Sequence, residues 1–327
     1  MGEKIAVIGA GAWGTAIANI LADNGGEVYL WVRTKRLADI LKHGYENTDY
    51  LQGIKLNKNL HFYTDIPETV NNASVIFFAV PSQYLRETAR KFSPYIRKGS
   101  IVVNLAKGIE RISCKRMSEI LNEELNGNII AVLSGPNHSI EIAKKKPSAT
   151  VIACNYTECL AYIKGILSTS YFKVYSHQDI VGVEICGAVK NIPAIATGII
   201  SELNYGDNAI AGLITLGLSE MNTLGRHFGS KRSTVYGLAG VGDLVVTCTG
   251  RHSRNQFVGR ALAQGKILGE ITELLHGMVA EGVETTMAIY ELSQKHNLKM
   301  PLTSEIYNIL YNKKDINTAI KDLLKRI

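Results

Sequence analysis

The sequence predicts an α/β protein with a doubly wound, mostly parallel sheet followed by an all-α domain, and three observations support this. Seven short β-rich runs alternate with helical patterns, at residues 4–11, 27–33, 74–80, 100–106, 128–135, 149–154 and 172–177. Most of these runs are continuously apolar, which is typical of strands covered on both faces. After about residue 178 long helical segments replace the strands, so we place the domains at residues 1–178 and 179–327.

Composition and charge narrow the classes of function. Charge or glycine interrupts each apolar run before about 20 residues, and no secretion signal is visible, so we expect a cytoplasmic protein without a membrane span. The formal net charge of +7 fits a small anionic ligand better than a nucleic acid, because no aromatic residues interleave with the basic clusters.

The cysteines give no sign of a disulfide framework or a metal site. There are five, which is an odd number, and none forms a CxxC pair. Buried free thiols in a reducing cytoplasm are the favoured interpretation, with metal ligation as the alternative. We therefore predict no metal.

A glycine-rich turn, GAGAWG at residues 9–14, follows the first predicted strand and opens a helix. Gly9 allows the tight turn, Gly11 leaves room for a pyrophosphate, and Gly14 lets helix and strand pack closely. The N–H groups of Ala12 and Trp13 begin the helix and would face the phosphates. This context indicates a Rossmann-type dinucleotide-binding domain, with a purely structural turn as the alternative.

Trp13 is unusual in such a turn because its side chain is bulky. Its position predicts that the indole points away from the pyrophosphate while the backbone N–H faces it. The ring could project toward the helical domain and help to wall a cleft, or it could pack in the core.

The end of the second predicted strand, VRTKR at residues 32–36, bears on cofactor choice. NAD-preferring sites usually carry a carboxylate there for the adenosine 2′-hydroxyl, but the first acid here is Asp39. Arg33 and Thr34 suit a 2′-phosphate, so we predict that NADP(H) is used at least as well as NAD(H). For Lys35 and Arg36, solvated charges beside a helix start are a serious alternative.

One lysine, Lys190, lies at the centre of the most apolar helical pattern, residues 179–203. A helix that is apolar all round is buried, and lysines are almost never fully buried without a partner. Pro193 removes the N–H that would bond to Val189, which predicts a bend beside Lys190. An acid/base catalyst in a cleft and a snorkelling lysine are equal alternatives on the helix alone.

Residues 236–259 combine a glycine-rich loop carrying one acid, Asp243, with a basic and polar cluster at residues 251–255. Ser253 or Asn255 could cap the helix that starts there, and a helix N-terminus bearing Arg254 suits a phosphate. The alternatives are a plain turn residue and a solvated surface.

Eight stretches spread over the whole chain point to one family. They are GAGAWG (9–14), NTDYL (47–51), FAVPS (78–82), NLAKGIE (104–110), LSGPNHS (133–139), GAVKNIPAIATG (187–198), LAGVGDLVVTCTGRHSRN (238–255) and VAEGVET (279–285). Together they resemble the bacterial NAD(P)-dependent glycerol-3-phosphate dehydrogenases, and the lysine, GDL and SRN elements in this order are the specific ones.

The resemblance implies reversible, NAD(P)H-dependent reduction of dihydroxyacetone phosphate to sn-glycerol 3-phosphate, for phospholipid synthesis, by a homodimer. It implies that Lys190 is the general acid and base, that Asp243 holds and tunes it, and that Lys107 polarises the substrate. The implied substrate contacts are Lys107, Gly135, Asn137, Lys190, Asn191, Asp243, Thr247, Ser253, Arg254 and Asn255. Beyond the glycine turn and strand end, the implied cofactor contacts are Tyr50, Lys107, Ser139, Arg254, Val279 and Glu281.

Two positions depart from the family's pattern: Ser139 replaces a common alanine, and Gln52 stands where proline is frequent. Both lie at the periphery of the implied cofactor site. A β-hydroxyacid or 6-phosphogluconate-type dehydrogenase is the enzymatic alternative, which the SRN cluster disfavours. A redox-sensing NAD(P)-binding module is the non-enzymatic alternative, and it leaves Lys190 and Asp243 unexplained.

Overall fold

The computed structural model describes residues 3–275 and 277–326 and divides the chain into two compact units. The first comprises Met1–Ala106 and Met117–Ile180, and the second comprises Lys107–Arg116 and Val181–Ile327. The main division thus falls two residues beyond position 178, where the sequence places it. The sequence analysis predicts two contiguous domains, whereas the structure assigns the segment Lys107–Arg116 to the second unit.

The first unit holds the strands. They are β1 (Lys4–Ile8), β2 (Glu27–Trp31), β3 (Glu46–Asn47), β4 (Leu51–Lys55), β5 (Leu60–Tyr63), β6 (Val75–Phe78), β7 (Ile101–Asn104), β8 (Ile129–Ser134), β9 (Ser148–Ala153) and β10 (Phe172–His177). Its helices are α1 (Ala12–Asp23), α2 (Lys35–Gly44), α3 (Ile66–Val70), α4 (Leu85–Phe92), α5 (Met117–Glu124), α6 (Ser139–Ala143) and α7 (Thr157–Leu167), with short 3₁₀ turns at Ser82–Tyr84 and Ser93–Tyr95.

Eight strands form one sheet in the order β10-β9-β8-β7-β6-β1-β2-β5, and β3 and β4 form a separate antiparallel hairpin. Within the large sheet every pair is parallel except β8 with β9. Successive β1 residues supply two different cores, because Ile5 and Val7 pack on one face of the sheet and Ala6 and Ile8 on the other. Burial on both faces explains why these strands are continuously apolar.

All seven predicted β-rich runs form strands, so the predicted mostly parallel sheet is confirmed. The sequence analysis missed β3, β4 and β5. Strand β5 lies at the edge of the sheet and buries only alternate residues, so it lacks the continuous apolar run of the inner strands.

The second unit is helical. Its helices are α8 (Ile180–Val189), α9 (Asn191–Glu202), α10 (Asp207–His227), α11 (Arg232–Val235), α12 (Asp243–Thr249), α13 (Arg254–Ala263), α14 (Leu268–Leu274), α15 (Glu281–Lys295), α16 (Pro301–Tyr311) and α17 (Ile316–Leu324), with a π-helical turn at Leu238–Gly242. Within residues 107–116, 181–275 and 277–326, the β-structure is one antiparallel bridge between Ile109 and Arg116. The predicted all-α domain is confirmed.

The helical pattern predicted at residues 179–203 is broken at Lys190, between α8 and α9. The break agrees with the predicted effect of Pro193. By length and composition Ile180–Glu202 is apolar enough to cross a membrane, so glycine and charge do not exclude a span as we expected. Its most apolar window is entirely buried in the protein, which is the behaviour of a core helix.

Helices α9 and α13 pack backbone against backbone. A Cβ atom on Gly259 would lie 2.0 Å from the carbonyl oxygen of Ile195, and one on Gly198 would lie 2.3 Å from that of Gln256. This close crossing fixes the start of α13 relative to the start of α9, where the candidate site residues lie.

Candidate active site

The glycine-rich turn has the geometry that its spacing predicts. Gly9 has a φ of +111°, and a Cβ there would lie 2.9 Å from the carbonyl oxygen of Ala79. A Cβ on Gly14 would lie 1.9 Å from the carbonyl oxygen of Gly9, so helix and strand pack too closely for a side chain. A Cβ on Gly11 would meet nothing within 4 Å. The middle glycine is therefore the one that leaves its space to a ligand.

Gly11 is the N-cap of α1, and no side chain caps the helix. The N–H groups of Ala12 and Trp13 in the first turn have no intrahelical acceptor, so they are suited to phosphate oxygens. The turn fits the pyrophosphate of a dinucleotide.

Asn47 is a residue that the sequence reasoning did not assign. It is fully buried, and its Nδ2 donates to the carbonyl oxygen of Ala10 at 2.9 Å and to Thr15 Oγ1 at 2.8 Å. Its Oδ1 accepts from the N–H of Tyr50 at 3.2 Å. Asn47 thus ties the β3–β4 hairpin to the glycine turn and positions Tyr50, and its place in the NTDYL motif was the available signal.

Trp13 packs within its own unit. Its ring meets Phe172 edge-on, with centroids 6.5 Å apart, and joins the core on that face of the sheet. These contacts agree with the alternative interpretation, in which the Trp13 ring packs in the core. The indole Nε1 is buried without a hydrogen-bond partner among the described residues, which leaves a donor for a ligand.

In the strand end VRTKR, some side chains contact other parts of the protein and others are exposed to solvent. Thr34 Oγ1 caps α2 by accepting from the N–H of Leu37 at 3.4 Å. Arg36 forms an ion pair with Asp49, so the structural alternative applies to it. Arg33 and Lys35 are exposed, and Arg33 remains the predicted partner of a 2′-phosphate.

The residues after β8 form another part of the first unit's site. Gly135 has a φ of +153°, and a Cβ there would lie 3.1 Å from Thr150 Cα. Asn137 Nδ2 donates to Thr150 Oγ1 at 2.9 Å, while its Oδ1 is buried without a partner among the described residues. Ser139 begins α6 and is half-buried. Asn137 therefore offers an acceptor held in a fixed orientation.

In the second unit, three of the predicted catalytic groups meet. Asp243 is buried at the first position of α12, with Oδ2 2.6 Å from Lys107 Nζ and Oδ1 2.9 Å from Lys190 Nζ. Only 9% of the Lys190 side chain is exposed, so the snorkelling alternative is wrong. The Lys107–Asp243–Lys190 cluster carries two positive charges and one negative charge.

The surroundings shift the ionisation of this cluster. Desolvation raises the pKa of Asp243, but the charges and hydrogen bonds of the two lysines outweigh it, so the pKa lies below its ordinary value. Desolvation lowers the pKa of Lys107 to about 8; Asp243 opposes the shift and Lys190 adds to it. The carboxylate of Asp243 therefore stays ionised, while the ammonium group of Lys107 loses its proton as the pH rises through about 8.

Thr247 completes the cluster. Lys190 Nζ donates to Thr247 Oγ1 at 2.7 Å, and that hydroxyl donates to the backbone oxygen of Asp243 at 2.5 Å. An ammonium group has three N–H donors. With Asp243 and Thr247 taking two, one N–H of Lys190 is left for a substrate oxygen.

A chain of hydrogen-bonded amide groups reaches the backbone of Lys107 and holds it beside the cluster. The N–H of Gly282 donates to Asn255 Oδ1 at 3.0 Å, Asn255 Nδ2 donates to Asn191 Oδ1 at 2.8 Å, and Asn191 Nδ2 donates to the carbonyl oxygen of Lys107 at 3.3 Å. Gly282 was not singled out from the sequence; a Cβ there would lie 2.7 Å from Asn255 Oδ1 and 3.0 Å from the carbonyl oxygen of Asn191, so a side chain would displace these amides.

The start of α13 is built as the sequence predicts. Ser253 caps the helix, with its Oγ accepting from the N–H of Gln256 at 3.3 Å. Arg254 follows at the first helical position; desolvation lowers its pKa, and the charge of Glu281 opposes that shift. Glu281 begins α15 and, like Val279, is half-buried.

Within residues 3–275 and 277–326, no three histidine, cysteine, aspartate or glutamate side chains are grouped to hold a metal ion. All five cysteines are free thiols.

A glycine turn shaped for a dinucleotide and a buried lysine–aspartate–lysine cluster define a pyridine-nucleotide-dependent oxidoreductase. The family model described as the NAD-dependent glycerol-3-phosphate dehydrogenase N-terminus matches residues 4–160, and the C-terminus model of the same family matches residues 179–321. The chain belongs to the NAD-dependent glycerol-3-phosphate dehydrogenase family.

Individual relatives agree over the full length. The chain is 44% identical to a glycerol-3-phosphate dehydrogenase (NAD(P)+) of Chlorobium limicola, with 98% of this chain and 97% of that protein covered. It is 42% identical to the enzyme of that name from Bacillus subtilis, with 99% and 94% covered. A crystal structure of glycerol-3-phosphate dehydrogenase from Coxiella burnetii is 37% identical, covers 99% of both chains and has a TM-score of 0.95. The resemblance seen in the sequence is confirmed.

Proposed function

We propose that this chain catalyses the reversible, NAD(P)H-dependent reduction of dihydroxyacetone phosphate to sn-glycerol 3-phosphate. The observation that carries the proposal is the buried Lys107–Asp243–Lys190 cluster in a chain of this family. Reduction of the ketone turns its oxygen into an alkoxide. Two ammonium groups held on one buried carboxylate supply fixed positive charge for that oxygen.

The cofactor, when bound, supplies the hydride. Lys190 donates its remaining N–H to the substrate oxygen and acts as the general acid, and it accepts the proton back in the reverse direction. Asp243 and Thr247 hold Lys190 in place, with Nζ distances of 2.9 and 2.7 Å. Lys107 polarises the same oxygen from the other side of Asp243.

The start of α13 is the proposed phosphate site. Arg254 offers a guanidinium that can bind phosphate through two parallel hydrogen bonds, and the capped helix N-terminus adds N–H groups and a partial positive charge. Asn255 has a second Nδ2 proton beyond the one given to Asn191, and we assign it to the substrate. Ser253, Asn191, Gly135 and Asn137 are further proposed contacts.

The first unit is the proposed dinucleotide site. The open space at Gly11 and the N–H groups of Ala12 and Trp13 support pyrophosphate binding, and Arg33 with Thr34 lies where the adenosine ribose would be read. The unpartnered Trp13 Nε1 is a further candidate donor. The remaining proposed cofactor contacts in this unit are Gly9, Gly14, Tyr50 and Ser139. The resemblance to the family adds Lys107, Arg254, Val279 and Glu281, which belong to the second unit.

The cellular setting is a separate part of the proposal. We propose a cytoplasmic homodimer that supplies sn-glycerol 3-phosphate for glycerophospholipid synthesis, and the resemblance to the family supports this. Light scattering on the purified protein tests the dimer. Growth rescue by added glycerol 3-phosphate after depletion of the enzyme tests the metabolic role.

The direct test is oxidation of NADPH and NADH on adding dihydroxyacetone phosphate, followed by the loss of reduced-cofactor absorbance. We expect turnover with this ketone and much less with a 2-oxo acid. Faster turnover of the 2-oxo acid would favour a β-hydroxyacid dehydrogenase. Cofactor binding without turnover of any carbonyl compound would favour a redox-sensing module.

A further inference from the structure

The segment Lys107–Arg116, which we call the Lys107 loop, is held closed by its own contacts. Ile109 and Arg116 form an antiparallel bridge. The N–H of Glu110 donates to the carbonyl oxygen of Lys115 at 3.0 Å, and the N–H of Cys114 donates to that of Glu110 at 2.9 Å. Because the two ends of the loop pair with each other, a shift of the Arg116 end displaces the backbone two residues from Lys107.

The end of the loop that carries Arg116 is anchored by a buried ion pair. Arg116 Nη1 lies 2.7 Å from Glu184 Oε2, and the exposed fractions of the two side chains are 18% and 3%. Glu184 lies on α8, six residues before Lys190. The ion pair therefore joins the loop carrying one lysine of the cluster to the helix that leads to the other.

Two further polar contacts of the loop to the helices are weaker than this ion pair. The ion pair of Arg111 with Glu284 is 3.3 Å long, with side chains 50% and 35% exposed, and exposed pairs contribute little. The Cys114 thiol lies 3.6 Å or more from its oxygen acceptors. Ile109 is buried in the helical core and anchors the end of the loop near Lys107, whereas the ion pair of Arg116 with Glu184 anchors the other end.

We infer that Arg116 and Glu184 are positioning residues for the reaction, whose ion pair fixes the Lys107 loop so that the Lys107 ammonium stays on Asp243, opposite Lys190. The inference rests on the proposed function, because it gives Lys107 a role at the substrate oxygen. Lys107 Nζ reaches Asp243 Oδ2 at 2.6 Å, and a small shift of the backbone breaks that contact. Misplacement of a catalytic group by about 1 Å can lower a rate about 100-fold.

The test compares Arg116→Met with Glu184→Gln, each of which removes one charge of the pair. We expect kcat to fall about 10-fold or more, because such a shift misaligns Lys107. KM for NADPH should change much less than kcat, because Lys107 is one of many proposed cofactor contacts and the glycine turn is unchanged. Arg116→Lys keeps the positive charge and should retain most of the activity. Arg111→Met is the matched control, since it breaks the exposed pair of the same loop and should leave kcat unchanged.

A second readout follows Lys107 itself. Asp243 and Lys190 are charged groups that face it. The rate at which an amine-reactive acylating reagent labels Lys107, measured against pH by peptide mass spectrometry, needs no substrate. In Arg116→Met and Glu184→Gln we expect faster labelling of Lys107, because its ammonium group leaves the buried carboxylate. Arg111→Met should label like the wild type.

The outcomes separate the inference from the proposed function. Wild-type kcat and wild-type labelling of Lys107 in both charge-removing variants would overturn the inference, as would equal losses in Arg116→Lys and Arg116→Met. If the wild type does not reduce dihydroxyacetone phosphate, the proposed function fails, while the labelling still reports whether the ion pair holds Lys107. If Arg116→Met does not fold, Glu184→Gln and Arg116→Lys carry both readouts.

Discussion

Asp243 shows how one buried carboxylate can organise two cations. Its two oxygens are divided, Oδ2 to Lys107 and Oδ1 to Lys190. Burying a charge is costly unless it is paired, so the carboxylate and the ammonium groups stabilise one another in the same small volume. The cluster keeps a net positive charge, which the developing alkoxide of the substrate would neutralise.

The first prediction concerns Lys190. Replacing it by alanine removes the proposed proton donor and should lower kcat at least about 100-fold, the lower range of general acid/base catalysis. Steady-state kinetics with dihydroxyacetone phosphate measures this. Lys190→Arg keeps a positive charge but not an ordinary proton donor, so it should also be slow; a near-normal kcat in either variant would refute the role.

A second prediction concerns the pH dependence of reduction. Lys107 carries a positive charge below its pKa of about 8 and loses it above, so kcat should fall as the pH rises through about 8. A pH profile of kcat with saturating substrates measures the limb. In Lys107→Arg the charge persists to much higher pH, so the same limb should move up or vanish. If kcat of Lys107→Arg still falls at the same pH as kcat of the wild type, another group causes the fall.

Arg33 carries the third prediction. Its exposed guanidinium follows β2, where a 2′-phosphate would lie. Arg33→Ala should lower kcat/KM for NADPH about 10-fold or more, since hydrogen bonds to charged groups contribute roughly 1.5–3 kcal/mol, and should change kcat/KM for NADH little. Lys35→Ala is the control. A strong preference for NADH that is the same before and after Arg33→Ala would contradict the assignment.

At the scale of elements, the sequence predicts what depends on local pattern and misses what depends on distant partners. The apolar strands, the glycine turn, the cap at Ser253 and the break at Lys190 follow from neighbouring residues. The position of Lys107–Arg116 in the helical unit, by contrast, depends on ion pairs with Asp243 and Glu184, which lie far along the chain. No pattern within residues 107–116 reports those partners.

The same distinction applies to Asn47 and Gly282. Both act through hydrogen bonds to residues more than 25 positions away, and neither has a side chain with obvious chemistry. The resemblance to a family assigned the reactive residues, because motifs carry them. Asp243, which holds Lys190, was assigned in the same way, but the supporting roles of Asn47 and Gly282 became visible only in the folded structure.

The crossing of α9 and α13 gives a prediction at this scale. In Gly259→Ala the new methyl group would lie 2.0 Å from the Ile195 carbonyl oxygen, so the helices must move apart. We expect a loss of about 1–3 kcal/mol in the free energy of unfolding, as for other overpacked sites. Urea denaturation measures it. Gly269→Ala in α14, where a Cβ would meet nothing within 4 Å, is the control and should be neutral or slightly stabilising.

At the scale of the whole molecule, each unit has its own apolar core. Within the second unit, the buried carboxylates of Glu184, Asp243 and Glu220 each contact side chains of other elements. The first unit has a core on each face of its sheet. The core of the helical unit includes Ile109 of the Lys107 loop. Glu220 is a buried acid of this unit that the proposed reaction does not use. We therefore expect it to affect the stability of the protein and not its catalysis.

Glu220 lies on α10 and caps α16, accepting from the N–H of Leu302 at 2.5 Å and from the N–H and hydroxyl of Thr303 at 3.1 and 2.6 Å. Desolvation raises the pKa of Glu220 to about 7, although these hydrogen bonds oppose the shift. A carboxyl whose pKa is raised on folding binds more protons in the folded state than in the unfolded state. Its contribution to stability is therefore lost as the pH rises from about 4.5 toward 7.

The last prediction follows from the direction in which Glu220 changes stability with pH. The free energy of unfolding should decrease between pH 5 and pH 8 by roughly 2–4 kcal/mol through this one group, at 1.4 kcal/mol for each unit of pKa shift. Glu220→Gln cannot ionise, so it should flatten the dependence while losing part of the helix cap at all pH values. Urea denaturation across this range measures both, and Asp207→Asn, at the exposed start of the same helix, should keep the wild-type slope. An unchanged slope in Glu220→Gln would show that Glu220 is ionised in the folded protein throughout this range and that its three hydrogen bonds outweigh the cost of burying it.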